Sequence, residues 1–273
     1  MFCHDHVGGI MAHIHPTAII GDHVEIAENA VIGPYCVVEG HVVIADNVEL
    51  KAHVYATGHT HIGEGTTIFP FASIGSIPQD LKYDGEASSL VIGRNNTIRE
   101  HVTINPGTKG GGMVTRIGNN CLLMVGAHVG HDAQVGHHVI FANNATLAGH
   151  VHVGDYAVLG GLSAVHQFVR VGAHSMVGGM SGVEHDVIPF TTVMGNRAHY
   201  AGVNLIGMRR RGFTRDDLNA VRGLFTALFE DGNEPLMDRV HRLANHHDNV
   251  AVEEIYKFMT TSSDRAFCTP ERP

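Results

Sequence analysis

The segment from Gly126 to Gly136, GAHVGHDAQVG, carries the side chains best suited to proton transfer. His131 is followed directly by Asp132, and His128 lies three residues earlier. An imidazole titrates near pH ~6.5, so His131 can accept a proton at neutral pH, and an adjacent carboxylate can fix its tautomer. No serine or cysteine has a comparable neighbour, so direct transfer to a hydroxyl is favoured over a covalent intermediate.

A six-residue repeat must position this segment. An apolar residue, aliphatic in all but one unit, recurs at every sixth position, most clearly through 12 consecutive units from Ile117 to Val183. This period fits neither an amphipathic helix nor simple strand alternation, and it is typical of a hexapeptide β-helix, in which three short strands make one coil. Residues 18 apart then stack at about one strand spacing, ~4.8 Å.

The same register brings further groups to His131. Gly149 stacks on His131, and His150 stacks on Asp132. The backbone N–H of Gly149 is open to close approach and is a candidate oxyanion donor. The spacing alone leaves a second interpretation open, in which His128, His131 and His150 bind a zinc ion.

Two polar segments interrupt the repeat, at residues 75–91 and 105–116. They are interpreted either as tolerated surface insertions or as loops that collect binding residues. After Pro189 the pattern becomes helical. We predict one helix capped by Thr214 and closed by Gly232, a second over 235–246, and a third over 250–262 capped by Asn249.

The predicted fold class is therefore mainly β, a parallel β-helix of hexapeptide repeats followed by a small α-helical C-terminal domain. The β-helix domain is predicted over residues 12–190, with the two interruptions as excursion loops. The helical domain is predicted over 191–273, where its apolar stripes would cover the end of the solenoid. Residues 1–11 are predicted to be an N-terminal extension.

Composition excludes several classes of protein. Apolar residues make up 44% and charged residues 16%, which is typical of a globular chain, and the net charge of −9 disfavours general nucleic-acid binding. No apolar run of eighteen residues and no secretory signal is present, so neither a transmembrane segment nor export is expected. The four distant cysteines favour a reducing cytoplasm. Most of the 23 histidines are expected to have no functional role, and several, such as His41 and His53, fall in predicted turn positions where a solvated polar residue is expected.

Several motifs together resemble one family. They are QDLKY (79–83), AHVGHD (127–132), ANNATLAGH (142–150), AVHQF (164–168), VGGMSGV (177–183) and GVN with RRRGF (202–213). These closely resemble the bacterial UDP-N-acetylglucosamine O-acyltransferases over nearly all of residues 12–265. The resemblance implies a cytoplasmic homotrimer of left-handed β-helices with active sites between subunits. An (R)-3-hydroxyacyl group would pass from acyl carrier protein to the 3-hydroxyl of UDP-N-acetylglucosamine, the first step of lipid A biosynthesis.

The resemblance also implies roles for individual residues. His131 would be the general base, Asp132 its orienting partner, and the Gly149 N–H the oxyanion donor. The remaining matches are Gln79, Asp80 and Lys82 for the acceptor or acyl-phosphopantetheine, His128, His150, His166 and Gln167 for the nucleotide-sugar cleft, Asn204, Arg210 and Arg211 near the uridine and phosphates, and Gly179 and Arg197 for acyl-chain length. No metal and no resident cofactor is expected, because phosphopantetheine arrives on the acyl carrier protein.

The chain departs from the family pattern at a few positions. Asn105 and Pro106 stand where His-Arg is usual, Ile206 where Glu is common, and Arg197 where His is usual. Three alternatives to this function stay open on the sequence. They are the related N-acyltransferase, which should carry an additional N-terminal domain, a metalloenzyme of the carbonic anhydrase type, and a structural solenoid without catalytic activity.

Overall fold

The computed structural model describes residues 12–229, 234–243 and 249–271. The predicted N-terminal extension and the predicted helix end at Gly232 lie outside these ranges. The chain forms two compact units, with the boundary between Asp132 and Ala133. Each unit is a parallel β-solenoid, as the period of six predicts, and the second also carries the four helices.

The first unit is built from short strands, most of them two residues long. Their bounds are β1 (His13–Ile14), β2 (Ile19–Ile20), β3 (Glu25–Ile26), β4 (Val31–Ile32), β5 (Val37–Val38), β6 (His41–Ile44), β7 (Glu49–Leu50), β8 (Tyr55–Ala56), β9 (His59–Ile62), β10 (Thr67–Ile68), β11 (Ser73–Ile74), β12 (Ser89–Ile92), β13 (Thr97–Ile98), β14 (Thr103–Ile104), β15 (Val114–Ile117), β16 (Leu122–Leu123) and β17 (His128–Val129). Every third strand pairs in parallel, so each coil contributes one strand to each of three sheets.

The pairing register confirms a coil of three hexapeptides. Val31 pairs with Glu49 and Ile32 with Leu50, so each residue meets the one that follows it by three repeats. The aliphatic residue at the end of each strand points into the coil, and those of Ile32, Leu50 and Leu123 are fully buried. One inward aliphatic side chain per hexapeptide therefore fills the solenoid core and fixes which residues face outward.

The two excursions leave the register of the coils intact. Ile74 pairs with Ile104, and Ile104 pairs with Val129, although both pairs are further apart in sequence than in an uninterrupted coil. The chain leaves the strands over residues 75–88 and 105–113. β12 begins at Ser89 and β15 at Val114, inside the segments predicted as loops, because these two longer strands pair along their full length.

Stacked aromatic and histidine rings run along the outside of the coils. Many turn residues have positive φ, including Tyr35, His53 and Phe71 at 58°, 58° and 64°, where a bulky side chain is rare. Their rings stack on the coils above and below in the ladder Tyr35–His53–Phe71–His101, with centroids 5.0–5.3 Å apart. A second ladder, His23–His41–His59, has centroids 4.7–5.0 Å apart, but His41 and His59 begin strands β6 and β9, so the prediction that His41 is a turn residue is wrong. The expectation of simple solvated turn residues is incomplete, since ring stacking offsets part of the cost of the left-handed turn.

The second unit continues the parallel repeat and ends in an antiparallel strand pair followed by helices. Its strands are β18 (Gln134–Val135), β19 (Ile140–Phe141), β20 (Thr146–Leu147), β21 (His152–Val153), β22 (Val158–Leu159), β23 (Ala164–Val165), β24 (Arg170–Val171), β25 (Met176–Val177), β26 (Gly182–Val183), β27 (Thr191–Met194) and β28 (His199–Val203). β27 and β28 form an antiparallel pair, which the six-residue pattern does not predict.

Four helices follow, α1 (Leu205–Arg210), α2 (Arg215–Phe229), α3 (Leu236–Leu243) and α4 (Val250–Thr260). Thr214 caps α2, because its hydroxyl accepts from the Asp217 N–H while the Asp217 carboxylate accepts from Thr214. Asn249 caps α4 as predicted, accepting from the N–H groups of Ala251 and Val252. α1 was not predicted. Among the described helices, none combines the length and apolarity that crossing a bilayer requires.

The helices pack against the last coil of their own unit. Ile188 and Phe190 of that coil are buried together with apolar side chains of α2 and α4, among them Phe225 and Ile255. Arg170 adds a polar link: its guanidinium binds the buried Asp186 carboxylate at 2.7 Å and lies over the Phe258 ring. The helices thus cover apolar surface that the last coil would otherwise expose.

One ring ladder of this unit has a pH-dependent consequence. His174 is stacked between Tyr156 and Phe190, and Phe213 meets its ring edge-on. Burial, reinforced by the positive charge of Arg211 and opposed by Asp155, lowers the pKa of His174 to about 4. The fold therefore favours the uncharged ring, and this stabilisation is present above the unfolded pKa of ~6.5 and is lost as the pH falls towards 4.

We expect His174→Phe to flatten the acid side of the stability profile. Phenylalanine keeps the ladder and cannot be protonated, so its melting temperature should fall less than that of the wild type between pH 6.5 and 4. Thermal unfolding across this range measures the difference. His53→Phe, the same change in the exposed ladder of the first unit, is the control and should leave the slope unchanged. Equal slopes for wild type and His174→Phe would contradict the assignment.

Candidate active site

Asp132 is held by several hydrogen bonds in the first unit. It lies in the turn after β17 with φ of 60°, and its side chain is fully buried. The Thr108 backbone N–H donates to both carboxylate oxygens, at 2.9 and 3.0 Å, and the Thr108 hydroxyl donates at 2.6 Å. The Asp132 N–H in turn donates to the Thr115 hydroxyl at 2.8 Å. A buried carboxylate with this many donors is held in one orientation.

His131 uses this carboxylate as its anchor. Its Nδ1 lies 2.8 Å from Asp132 Oδ2, and its side chain is only 8% exposed. A carboxylate has acceptor atoms only, and Asp132 already accepts bonds from Thr108. The ring must therefore be the donor in this bond, so Nδ1 carries the proton. The Nε2 atom keeps its lone pair and is able to accept a proton from a substrate.

Asp80 of the first excursion approaches the second ring nitrogen of His131, and Lys82 lies beside Asp80. Asp80 Oδ2 lies 3.9 Å from His131 Nε2 and 3.7 Å from Lys82 Nζ. The backbone N–H of Lys82 lowers the pKa of the Asp80 carboxyl, with smaller contributions from the charges of Lys82 and His131. Asp80 is therefore ionised at neutral pH and can stabilise an imidazolium at His131. Gln79, the third residue predicted from this loop, is exposed.

His128 lies on β17 and is half-buried. Its Nδ1 is 2.7 Å from the Thr103 hydroxyl. Burial lowers the pKa of His128, and the positive charge of a protonated His131 lowers it further. An uncharged ring at neutral pH suits a hydrogen-bonding contact rather than a second acid.

Asn105, where the family usually has a different residue, makes hydrogen bonds that account for its presence in this chain. Its amide nitrogen donates to the carbonyl oxygens of Ser76 and Ile77, at 3.0 and 3.3 Å. These bonds join the second excursion to the first, which carries Asp80. Asn105 is buried. The side chain thus fixes the relative position of the two loops that supply Thr108 and Asp80.

Sequence reasoning missed Thr108, Thr115 and Gly111. Thr108 is distant in sequence from Asp132 and lies in a Gly-rich segment interpreted as a flexible loop. A Cβ atom added at Gly111 would overlap the carboxyl group of Asp132, so the glycine permits the loop to lie directly against it. The threonine and glycine residues beside the repeat are a weak signal for a binding loop. The sequence does not show that this loop contacts Asp132, which only the folded chain shows.

The remaining predicted residues lie in the second unit. Gly149 is buried, and its carbonyl accepts from the Phe168 N–H at 3.3 Å. His150 adopts φ of 62°, and its ring stacks on Phe168 with centroids 4.4 Å apart. His166 and Gln167 are exposed and both contact the same residue, Arg265.

Asn204 is engaged in structure. Its Oδ1 caps α1 by accepting from the Gly207 N–H at 3.0 Å, and its Nδ2 donates to the His174 carbonyl at 2.9 Å. Arg210 and Arg211 are exposed, and the Arg211 guanidinium lies over the Tyr156 ring. These two cations are accessible to an anionic ligand.

The two residues matched to acyl-chain length have different surroundings. Gly179 is exposed, and a Cβ atom there would lie 3.3 Å from the Gly161 carbonyl oxygen. Arg197 lines a cleft of about 780 Å³ together with His199, Met237 and Phe267. Ile206, a further departure, is exposed on α1.

Two family models match the chain. Residues 186–268 match the second domain of UDP-N-acetylglucosamine O-acyltransferase. Residues 115–149 match the bacterial transferase hexapeptide, described as six repeats. The first match covers the β27–β28 pair and the helices, and the second covers the segment that contains His131 and Asp132.

Curated relatives match over much greater lengths. The chain is 52% identical over 262 residues to the acyl-[acyl-carrier-protein]–UDP-N-acetylglucosamine O-acyltransferase of Rickettsia prowazekii, covering 94% of this chain and 97% of that protein. The enzyme of the same name from Caulobacter vibrioides is 53% identical over 212 residues, covering 77% of this chain and 80% of the relative.

Solved structures agree with the sequence relatives. The UDP-N-acetylglucosamine acyltransferase of Francisella novicida superposes with a TM-score of 0.90 at 36% identity, covering 95% of each chain. The one from Campylobacter jejuni gives a TM-score of 0.89 at 38% identity, covering 94% of this chain and all of the other. Fold and sequence therefore point to the same set of proteins.

The contact between Gly111 and Asp132 can be tested with a matched pair of variants. Gly111→Ala should destabilise the protein by about 1–3 kcal/mol, because the new methyl group must displace a buried carboxylate or its loop. Gly110→Ala places a methyl group with nothing within 4 Å and should be neutral. Chemical denaturation measures both. Equal stabilities for the two variants would show that the loop does not lie against Asp132.

Proposed function

The chain belongs to the UDP-N-acetylglucosamine O-acyltransferase family, and from this membership we propose that it transfers an (R)-3-hydroxyacyl group from acyl carrier protein to the 3-hydroxyl of UDP-N-acetylglucosamine. This reaction would be the first step of lipid A biosynthesis. The observation that carries the mechanism is the hydrogen bond between His131 and the buried Asp132, which leaves Nε2 of His131 as a base.

The proposed reaction is a direct transfer. Nε2 of His131 removes the proton of the sugar hydroxyl as its oxygen attacks the thioester carbonyl. A C–O bond forms, and the carbonyl oxygen becomes an oxyanion, for which the Gly149 N–H is the proposed donor. The tetrahedral intermediate then collapses with cleavage of the C–S bond. The imidazolium returns its proton to the phosphopantetheine thiolate, so His131 ends the cycle as it began.

Asp132 and Asp80 act at different stages of this reaction. Asp132 holds the ring throughout, because its bonds to Thr108 do not depend on the protonation of His131. Asp80, 3.9 Å from Nε2, favours the imidazolium that exists only after proton uptake. An interaction that strengthens as charge develops lowers the barrier, whereas uniform binding does not.

The substrates' anionic groups match the chain's charge distribution. Arg210 and Arg211 are exposed guanidinium groups that suit phosphate oxygens of the nucleotide sugar. The same cations suit the acidic acyl carrier protein. We also propose that the working enzyme is a cytoplasmic homotrimer that needs no resident metal or cofactor.

A transfer assay with UDP-N-acetylglucosamine and a panel of 3-hydroxyacyl carrier proteins tests this proposal. We expect His131→Ala to lower turnover by about 10²–10⁴-fold, the range for loss of a general base. His61→Ala is the matched control, because His61 is an exposed histidine on β9 of the same unit, and it should retain activity.

Three outcomes would contradict the proposal at different levels. Near-normal turnover by His131→Ala would remove the base from His131. Stoichiometric zinc in the purified protein, lost together with activity on chelation, would favour a metal-dependent reaction instead. Absence of transfer by the wild type with every donor of the panel would contradict the proposed activity itself.

A further inference from the structure

The segment that follows α4 is held against the solenoid by backbone hydrogen bonds. The Asp186 N–H donates to the Ala266 carbonyl and the Cys268 N–H donates to the Asp186 carbonyl, both at 2.8 Å. The Tyr200 N–H adds a bond of 3.0 Å to the Thr269 carbonyl. This C-terminal segment, residues 265–269, therefore behaves as an added strand whose first side chain is Arg265.

Arg265 reaches the turn after β23, which lies far earlier in the chain. Its Nη2 atom lies 3.0 Å from His166 Nδ1 and 2.8 Å from the carbonyl oxygen of Gln167. The side chain is half-buried, whereas both of its partners are exposed. One guanidinium nitrogen thus holds the ring of His166 and the backbone beside it.

The contact selects a tautomer of His166. A guanidinium has donors only, so Nδ1 must be the acceptor and cannot carry a proton while the bond is made. The alternative bond from Nδ1–H to the Gln167 carbonyl is longer, at 3.3 Å, and would set two donors against each other. The neutral ring therefore carries its proton on Nε2 and presents a hydrogen-bond donor.

We propose that Arg265 is a positioning residue that keeps His166 as an Nε2–H donor for an acceptor oxygen of the nucleotide sugar. This rests on the proposed function and on the family resemblance, which matches His166 to the nucleotide-sugar cleft. The arrangement is the reverse of that at His131, where a carboxylate places the proton on Nδ1. One chain thereby contains a histidine set to accept a proton and another set to donate a hydrogen bond.

If Arg265 served only to dock the C-terminal segment, Arg265→Ala would release that segment and destabilise the protein. The backbone bonds to Asp186 and Tyr200 do not involve the guanidinium, so Arg265→Ala should leave the segment bound and the protein folded. Loss of the side chain would then alter the His166 ring and not the docking.

The experiment combines nitrogen NMR with kinetics on the full chain. In ¹⁵N-labelled wild-type protein at neutral pH, we expect His166 to show an unprotonated Nδ1 and a protonated Nε2, and in Arg265→Ala a mixture of tautomers. We expect KM for UDP-N-acetylglucosamine to rise by up to about tenfold in Arg265→Ala, the order for losing the one neutral hydrogen bond from His166 Nε2–H, with kcat within twofold. Arg265→Lys keeps a cationic donor group, so its tautomer ratio and its KM should lie between those of the wild type and Arg265→Ala.

Arg242→Ala is the control, because Arg242 is paired with Glu234 on the helical side of the same unit. It should change neither the His166 signals nor KM. A protonated Nδ1 in the wild type would overturn the tautomer assignment, and an unchanged KM in Arg265→Ala would overturn the positioning role. If the wild type transfers no acyl group to UDP-N-acetylglucosamine, the proposed function fails, while the NMR signals still decide whether Arg265 sets the tautomer.

Discussion

The register of three hexapeptides per coil is the constraint on which the rest of the structure depends. One inward apolar side chain in each hexapeptide, buried in most of them, sets the strands, and parallel pairing sets the turns between them. A turn residue can then be chosen for chemistry, because the core is satisfied by its neighbours. Asp132 occupies such a turn, with φ of 60°, directly after His131 and shortly after the buried Val129.

The coils alone do not orient the candidate base. Asp132 receives its donors from Thr108, in the excursion between β14 and β15, and His131 faces Asp80 from the excursion between β11 and β12. Asn105 joins these two loops. The rigid repeat therefore supplies the position of the His–Asp pair, and two irregular segments supply its orientation and its electrostatic surroundings.

The sequence predicts the repetitive part well because the signal is repeated. The inward positions from Ile117 to Val183 and the caps at Thr214 and Asn249 each follow from a local pattern. α1 and the antiparallel pair β27–β28 were missed, since one short helix and one hairpin leave little periodicity. The bonds from Thr108 to Asp132 and from Arg265 to His166 were missed because they join positions 24 and 99 apart in sequence, and no local pattern encodes such a contact.

The proposed mechanism depends on the buried Asp132, which places the proton of His131 on Nδ1 so that the lone pair of Nε2 can take a proton from substrate. The most direct test is the ¹⁵N chemical shift of the two ring nitrogens of His131 in the uncomplexed wild-type protein at neutral pH. We expect a protonated Nδ1 and an unprotonated Nε2. A protonated Nε2 with an unprotonated Nδ1 would contradict it, because the ring would then have no lone pair facing the substrate side.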